Sequence, residues 1–198
     1  MEEMSSLTPV QPVSNGRQET LAYIWEVIKV VLLSLAIIVP VRYFLVQPFF
    51  VKGASMEPTF DDNNYILIDE VSYRFHPPER GDIVVFRYPL DQSQFFIKRI
   101  IGLPGETIEI KNDHVTIYNA DRPQGWTLTE KYLSPFQHTI GNFRVKVDPN
   151  AYFVLGDNRL RSSDSRIWGQ VNQSLVTGRV FFRAFPLQEA GSFPAVNY

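Results

Sequence analysis

Apolar positions divide the chain into two parts with different patterns. Between Tyr23 and Val51 they are nearly continuous, whereas beyond residue 60 they form short runs rich in β-branched and aromatic residues. Pro, Gly, Asn and Asp separate these runs, which is a pattern that predicts strands. The predicted strand sequences are YILIDEV, DIVVFRY, FFIKRIIG, TIEIKNDHVTIYN, FRVKV, AYFVLGD and LVTGRVFFRAF.

The spacing of these runs indicates the fold class. No long amphipathic helix interrupts them, and many short strands at close spacing are typical of all-β domains. We therefore predict a mostly β fold with a folded-over antiparallel sheet or barrel-like domain over residues 48–190, after one N-terminal transmembrane helix. Residues 120–143, which contain several prolines and glycines, are predicted to form a connecting excursion.

The nearly continuous apolar segment predicts a membrane anchor over residues 23–47. Its charge-free core, Val30 to Val41, has only 12 residues, whereas a spanning helix needs about 20. Lys29 and Arg42 can bury their aliphatic stems and extend their charges to the two interfaces, which lets the segment span from Val27 to Val46. The alternatives are a buried core helix and a cleaved signal peptide. A signal peptide has a basic region ahead of it and a small-residue cleavage site after it, whereas this segment has an acidic-tinged start and ends in VQPFFVKG.

The two chain ends are predicted to be tails. Residues 1–22 mix Ser, Thr, Pro, Gln and charged residues without periodicity, which is typical of disorder, and residues 191–198 form a short C-terminal tail. Basic residues flank the apolar segment about equally on both sides, so charge alone does not set its orientation in a membrane.

Composition excludes several kinds of chemistry. The formal net charge is −2, so nothing points to a nucleic-acid partner, which would need a basic face to neutralise phosphates. The absence of cysteine excludes disulfides, a thiol nucleophile and thiolate metal ligands. Its three histidines are far apart and show no metal-ligand spacing. We therefore expect no metal and no other cofactor, and a catalytic base would have to be another residue.

A serine on a bend follows the apolar segment. In GASMEPT, residues 53–59, Ser55 lies between Gly53 and Pro58, which keep the backbone out of regular structure and present the hydroxyl. Such a serine belongs either to an ordinary turn or helix N-cap, or to a nucleophile. A hydroxyl is a poor nucleophile unless a base takes its proton. Because no histidine stands in a suitable motif, lysine is the remaining candidate base.

Lys98, in QFFIKRIIGLPGE, is that candidate. Strand alternation puts Phe96, Lys98 and Ile100 on one face, with Arg99 charged on the other. If the face is inward, burial disfavours the ammonium and lowers its pKa, as an amine base requires. If it is outward, Lys98 is an ordinary solvated lysine at a strand edge.

A third segment, GDNRLRSSDSRIWG at residues 156–169, concentrates hydrogen-bond donors and acceptors after an apolar strand. Loops this polar are usually solvated, but this one can also build an inward-facing network. Its polar members include Asp157, Asn158, Ser162, Asp164, Ser165 and Arg166.

In this order and behind an anchor, the segments resemble type I signal peptidase, a membrane-bound serine protease that removes signal peptides from exported proteins. SMEPT is similar to the nucleophile box of that family, RGDIVVF to its structural strand, KRIIGLPGE to its lysine box and GDNRLRSSDSR to its last box. The resemblance covers about residues 45–185. Each box alone is weak, but four in order are highly specific.

The resemblance implies roles for individual residues. Ser55 is the nucleophile and Lys98 the general base of a Ser–Lys dyad. Ser162 holds the lysine amine, while Asp164 and Arg166 form a supporting ion pair.

The chain also departs from some members of the family. Gly53 stands where those members carry a hydroxyl residue that donates to the oxyanion, so the backbone N–H of Ser55 is expected to supply more of that stabilisation. The excursion is short, so the large second domain of some relatives is expected to be absent.

The resemblance implies substrates too: signal peptides with small residues at the first and third positions before the cut. These require shallow apolar pockets and a peptide that pairs as an added strand. By similarity the pocket residues are Phe49, Val51, Met56, Phe60, Ile66, Val85, Phe96 and Ile97; each has ordinary core as its alternative.

The implied partners are signal peptides of exported precursors and membrane lipid, with no nucleic acid and no metal. The implied location is the cell membrane, crossed once, with the catalytic domain on the outer side, whether periplasmic, extracytoplasmic or lumenal. Pro48, Phe49 and Phe50, just after the anchor, are expected to dip into the bilayer. Two alternatives are a self-cleaving repressor-type protease, which would need a DNA-binding domain, and an inert anchored β-domain, which would tolerate loss of Ser55 or Lys98.

Overall fold

One long apolar helix forms in the N-terminal unit of the computed structural model, which describes residues 16–40, 46–193, 196 and 198. Helix α1 (Gly16–Pro40) has no glycine or proline between its end residues, so nothing interrupts its hydrogen bonding. Its stretch Thr20–Val39 has 20 residues and a mean hydropathy of 2.2. At 1.5 Å per residue this stretch is about 30 Å long, which makes it a candidate membrane span by length and composition.

The helix differs from the boundaries predicted for the anchor. It begins at Gly16, inside the predicted tail, and ends at Pro40, whereas Val46 and Gln47 already belong to a strand. Glu26 and Lys29 lie within the candidate span and form an ion pair of 2.6 Å, which lowers the cost of placing both charges in an apolar segment. The predictions for residues 1–15 and 41–45 lie outside the described residues.

Antiparallel strands build the second unit. In chain order they are β1 (Val46–Phe50), β2 (Tyr65–Asp69), β3 (Ile83–Tyr88), β4 (Asp91–Gly102), β5 (Thr107–Lys111), β6 (His114–Tyr118), β7 (Trp126–Thr127), β8 (Phe143–Lys146), β9 (Ala151–Leu155), β10 (Val171–Asn172), β11 (Val176–Phe185) and β12 (Gly191–Ser192). The larger sheet has the order β1-β2-β11-β3-β4-β9-β10, with β12 paired to β11. The smaller sheet has the order β7-β6-β5-β8. The prediction of a mostly β, antiparallel fold is confirmed.

Strand β4 lies inside the larger sheet, and both of its faces are covered. It pairs with β3 and β9, so that Val84 lies opposite Lys98 and Leu155 lies opposite Arg99. On one face Ile97 packs into a cluster with Met56 and Phe60, and on the other Ile100 packs into a cluster with Val84. Consequently both Lys98 and Arg99 are buried.

The smaller sheet encloses its own core against β9. Ile108 and Ile110 alternate inward along β5 and pack with Phe153 of β9. Beyond the predicted strands, β7 forms within the excursion and β12 within the predicted C-terminal tail. Phe193 then packs onto the cluster that contains Phe60, so part of this tail belongs to the folded unit.

Candidate active site

Ser55 lies on the loop that joins the antiparallel strands β1 and β2. Two hydrogen bonds close the loop, from the Val51 nitrogen to the Asn64 oxygen at 2.9 Å and from the Asn63 nitrogen to the Val51 oxygen at 2.9 Å. Gly53 has φ of +82°, a conformation that favours glycine. Its N–H donates to Asp62 Oδ1 at 2.7 Å. The backbone before the serine is therefore held in a defined bend.

Two fully buried side chains of this loop anchor it to the apolar core. Met56 and Phe60 are both 0% exposed and belong to the apolar cluster beneath the larger sheet. The guanidinium of Arg183, on β11, donates to the Thr59 oxygen at 3.1 Å and to Asn64 Oδ1 at 3.1 Å. These contacts leave the Ser55 side chain facing β4 while the residues around it are anchored.

Lys98 meets Ser55 from the middle of β4. Its Nζ donates hydrogen bonds of 2.8 Å to Ser55 Oγ and 2.8 Å to the Ile97 backbone oxygen, and it lies 5.5 Å from the ring centroid of Phe96. The lysine is only 4% exposed. Burial lowers the pKa of Lys98 from 10.5 to about 8, because an ammonium loses its hydration there.

Two carboxylates partly oppose that effect of burial. Asp164 and Asp157 both raise the pKa of Lys98, Asp164 more strongly. Each is paired with an arginine: Arg166 donates to Asp164 through Nε and Nη2 at 2.8 Å each, and Arg99 donates to Asp157 at 2.8 and 2.6 Å. Because these partners offset the negative charges, burial remains the dominant influence on the amine.

Asp164 also shapes the loop that faces the nucleophile. It is fully buried, accepts from the Gly156 nitrogen at 3.1 Å, and caps the short helix α2 (Ser165–Trp168) by accepting from the Arg166 nitrogen at 3.2 Å. One carboxylate thus fixes both ends of the segment from Gly156 to Ser165.

The two loops touch at Gly156. A Cβ atom added there would lie 2.2 Å from Ser162 Oγ and 2.4 Å from the Ser55 backbone oxygen, so only glycine fits. The Asn158 nitrogen donates to that same Ser55 oxygen at 3.0 Å. Ser162 Oγ is buried, and within the described residues it has no hydrogen-bond partner.

A cavity of about 610 Å³ opens beside Ser55 and Lys98. Its apolar lining includes Phe49, Ile66, Val85 and Ile97, which come from the strands β1, β2, β3 and β4 of the larger sheet. A nucleophile-type hydroxyl, a buried amine and an apolar cavity therefore meet in one place.

Comparison with known proteins identifies the family. A model of the family described as "Signal peptidase, peptidase S26" matches residues 24–185. The chain belongs to this family. It is a signal peptidase of type I, a serine protease that cleaves signal peptides from precursor proteins.

Several relatives are similar over most of their length. A probable signal peptidase I-1 from Synechocystis sp. is 35% identical over 184 residues, covering 89% of this chain and 90% of that protein. A signal peptidase I from Leptolyngbya laminosa is 34% identical over 200 residues, covering 96% and 94%. A crystal structure of a signal peptidase I from Enterococcus faecalis V583 is 37% identical and covers 52% of this chain and 97% of that chain, with a TM-score of 0.44.

The structure of this signal peptidase brings most of the predicted site residues together. Ser55 and Lys98 are in contact, Asp164 and Arg166 form an ion pair, and Ser162 lies beside the Ser55 backbone. The hydrogen bond expected between Ser162 and the lysine amine is not among the contacts of Lys98, which are made to Ser55 and Ile97.

The predicted pocket residues divide into two groups. Six line the cavity: Phe49, Val51, Ile66, Val85, Phe96 and Ile97. Met56 and Phe60 do not, because both point down from the nucleophile loop into the core. Lys52, Arg161 and Ser163 line the cavity and were not predicted.

Sequence reasoning also missed a buried network behind the dyad. Asp157 accepts from Thr59 Oγ1 at 2.5 Å as well as from Arg99, which joins the nucleophile loop to β4. Arg159 donates to Glu130 Oε2 at 2.8 Å and to Thr139 Oγ1 at 2.5 Å, which ties the excursion to the last loop. Because Arg99 is adjacent to the buried Lys98, the sequence could have indicated that Arg99 is also buried and needs a charged partner. No feature of the sequence indicates that Glu130 pairs with Arg159.

Proposed function

We propose that this signal peptidase cuts after a small residue, in precursors of the Ala-x-Ala type, with Ser55 as nucleophile and Lys98 as general base. The observation that carries the proposal is the 2.8 Å contact between Lys98 Nζ and Ser55 Oγ, made by an amine whose burial lowers its pKa to about 8. A lysine with an ordinary pKa near 10.5 would be almost fully protonated at neutral pH and unable to accept a proton.

The first step forms an acyl-enzyme. The neutral amine of Lys98 takes the proton of the Ser55 hydroxyl as Oγ attacks the carbonyl carbon of the scissile bond. The amine can donate to the Ile97 oxygen at 2.8 Å while its lone pair points toward Oγ, so that oxygen orients the base. The resulting ammonium then gives its proton to the departing amine, and the carbon–nitrogen bond breaks.

The second step releases the signal peptide. Lys98, neutral again, takes a proton from water as the water oxygen attacks the acyl carbon. The ammonium returns that proton to Ser55 Oγ as the ester bond breaks. The paired state of Asp164 and Asp157 supports both steps, since an unpaired carboxylate near the amine would keep it charged.

The oxyanion of each tetrahedral intermediate needs donors. Gly53 offers no side-chain hydroxyl, and an added Cβ there would meet nothing within 4 Å, so the position leaves open space above the loop. We therefore assign the backbone N–H of Ser55 as the main donor, held in place by the hydrogen bonds of the neighbouring residues.

The cavity supports selection of small residues. Aromatic and branched side chains from β1 to β4 form its apolar lining, which suits methyl-sized groups of an extended peptide. Met56 and Phe60 are fully buried in the apolar cluster, so they do not contact substrate and instead anchor the loop that carries Ser55.

The candidate span in α1 supports a single-pass anchor, and the proposed location of the catalytic domain is the outer face of the membrane. Phe50, which lines the cavity and is 63% exposed, is the side chain proposed to contact lipid.

The test uses the full chain in detergent and a precursor whose signal peptide ends in Ala-x-Ala. Ser55→Ala and Lys98→Ala should each abolish cleavage, while Lys111→Ala, an exposed lysine on β5, should leave it unchanged. Mass spectrometry of the products should place the cut directly after the final alanine. Cleavage by either dyad variant at the wild-type rate would rule out the assignment.

A further inference from the structure

We propose that the cleft prefers precursors that carry an acidic side chain close to the cleavage site, and that Lys52 and Arg161 recognise it. This proposal deepens the proposed function and rests on it. It concerns a charge preference that is added to the requirement for small residues.

The charges that line the cavity all have the same sign. Among the described residues that line it, the ionisable ones are Lys52, Lys98 and Arg161, and none is an aspartate or glutamate. Lys98 acts as the base and is buried, whereas Lys52 and Arg161 are exposed. The two exposed cations therefore form a cationic rim around an apolar cavity.

The rim cations differ from the other arginines of the site in having no internal carboxylate partner. Arg99, Arg159 and Arg166 each form an ion pair with an aspartate or glutamate. No ion pair or side-chain hydrogen bond of Lys52 or Arg161 occurs within the part of the chain that the structure describes. Their charges remain available to a ligand.

Two carboxylates of the nucleophile loop accept hydrogen bonds from other groups. Asp62 accepts from the Gly53 nitrogen at 2.7 Å and from Asn63 Nδ2 at 2.8 Å. Glu57 accepts from Asn158 Nδ2 at 3.2 Å. Both carboxylates thus stabilise loop geometry, and neither forms an ion pair with the rim.

The backbones that carry the rim are fixed. Lys52 lies between Val51 and Gly53, both hydrogen-bonded within the nucleophile loop, and the Arg161 nitrogen donates to the Asn158 oxygen at 3.1 Å. Because their positions are defined relative to Ser55, their charges can discriminate between substrates rather than attract anions at random.

The geometry of an extended peptide indicates which side chains reach the rim. Successive side chains of a strand point to opposite faces, so when small residues point into the cavity their neighbours point toward its rim. The neighbours are the residue between the two small ones and the first residue after the cut. An acidic group there would meet the cations, and a basic group would be repelled.

Anionic lipid headgroups are a different possible ligand for these cations. The observations favour peptide, because Lys52 and Arg161 line the same cavity as Ser55 and Lys98. The two explanations separate in an assay that contains no anionic lipid.

The experiment measures kcat/KM for the full chain in a non-ionic detergent with matched Ala-x-Ala peptides. Glu, Gln or Lys is placed in turn between the two alanines and at the first position after the cut. At one or more of these positions kcat/KM should be higher for the Glu peptide than for the Lys peptide, by about twofold to fivefold for each rim cation that the side chain meets. Raising the salt concentration to about 0.5 M should flatten the difference.

Variants assign the preference. Arg161→Gln and Lys52→Gln should each lower the ratio of Glu to Lys peptide, and Arg161→Glu should lower it further or invert it. Lys111→Gln, on the smaller sheet and outside the cavity, should leave the ratio unchanged.

The outcomes are distinguishable. A ratio near one in the wild type, or one that the rim variants do not alter, would overturn the proposal while the Gln peptides still report normal cleavage. A ratio near one in the wild type, together with rim variants that weaken binding of the enzyme to anionic vesicles, would assign the rim to lipid instead. If the wild type cuts none of the peptides, the proposed function itself fails.

Discussion

The backbone nitrogen of Asn158 donates a hydrogen bond of 3.0 Å to the backbone oxygen of Ser55. This bond joins the last loop to the nucleophile loop at the residue that we propose attacks the substrate. Gly156, two residues earlier, lies so close to the same oxygen that the two backbones are in contact. The position of Ser55 therefore depends on the last loop as well as on its own.

Gly156→Ala should inactivate the enzyme more than it unfolds it. Its Cβ would lie 2.4 Å from the Ser55 oxygen and 2.2 Å from Ser162 Oγ, so the nucleophile loop has to move. Overpacking of this kind costs about 1 to 3 kcal/mol in stability, and a shift of about 1 Å at a catalytic group can cost about 100-fold in rate. Thermal unfolding and kcat/KM measure the two effects.

The matched control is Gly191→Ala on β12, where an added Cβ meets nothing within 4 Å. That variant should keep the wild-type rate. Wild-type activity of Gly156→Ala would show that the two loops can separate without harm.

Activity should increase with pH through the pKa of Lys98. The reactive form is the neutral amine, and the fraction of neutral amine increases as pH passes about 8. Two pH units below the pKa only about 1% of the amine is neutral, so kcat/KM near pH 6 should be about 100-fold below its plateau. A flat profile from acid to pH 9, or an acidic optimum, would exclude Lys98 as the base.

Asp164→Asn should move this pH profile toward acid. The negative charge of Asp164 raises the pKa of Lys98, and the variant removes that charge while leaving the cation of Arg166 nearby. Both changes disfavour the ammonium, so the midpoint of kcat/KM should fall, although the plateau should also fall because the Gly156 nitrogen loses its charged acceptor. A midpoint that stays in place or rises would contradict the electrostatic role of this carboxylate.

Ser162→Ala should separate stability from turnover. A buried hydroxyl without a partner carries a desolvation cost of about 1 to 3 kcal/mol, so its removal should leave the free energy of unfolding unchanged or raise it. We expect kcat to fall by about 10-fold to 100-fold with little change in KM. The reason is that Ser162 Oγ can accept a hydrogen bond from the Lys98 ammonium, which forms only after the proton of Ser55 has moved to the amine. An unchanged kcat would remove Ser162 from the mechanism.

Asp157→Asn should be strongly destabilising. It leaves the Arg99 guanidinium, a side chain that is 4% exposed, without its charged partner, and loss of one member of a buried pair costs about 3 to 5 kcal/mol. Glu189→Gln serves as the control, because Glu189 pairs with Arg183 at 3.0 Å but its side chain is 45% exposed. The control should lose less than about 1 kcal/mol in urea unfolding. Equal losses would mean that burial does not govern the Arg99 pair.

Most of the strands, and the chemistry of the loops between them, could be predicted from the sequence. Each predicted strand segment contains a strand. The signals used, such as the alternation along β5 and the β-branched composition of β3, are local and can therefore be read from the sequence. The nucleophile box and the lysine box could be recognised because each is contiguous. Their joint reading as a signal peptidase agrees with the family match.

Which side chains meet depends on tertiary packing and could not be predicted from local sequence. Strand alternation predicted that Lys98 and Arg99 face opposite ways, but both faces of β4 are covered, so both are buried and each needs its own partner. Likewise, Met56 and Phe60 are apolar and adjacent to the nucleophile, yet they support the loop instead of lining the cavity. The same types of apolar residue line a cavity and fill a core, and only the packing of the sheet against its loops distinguishes the two groups.

The start of the helix and the pairing of distant charges show the same division. Hydropathy located the apolar segment, whereas its helix extends back to Gly16 because helix formation continues through polar residues that hydropathy does not detect. The ion pair between Glu130 and Arg159 joins residues that are 29 positions apart. Neither residue has a local pattern that names the other, and it is the path of the chain around the smaller sheet that places the two charges together.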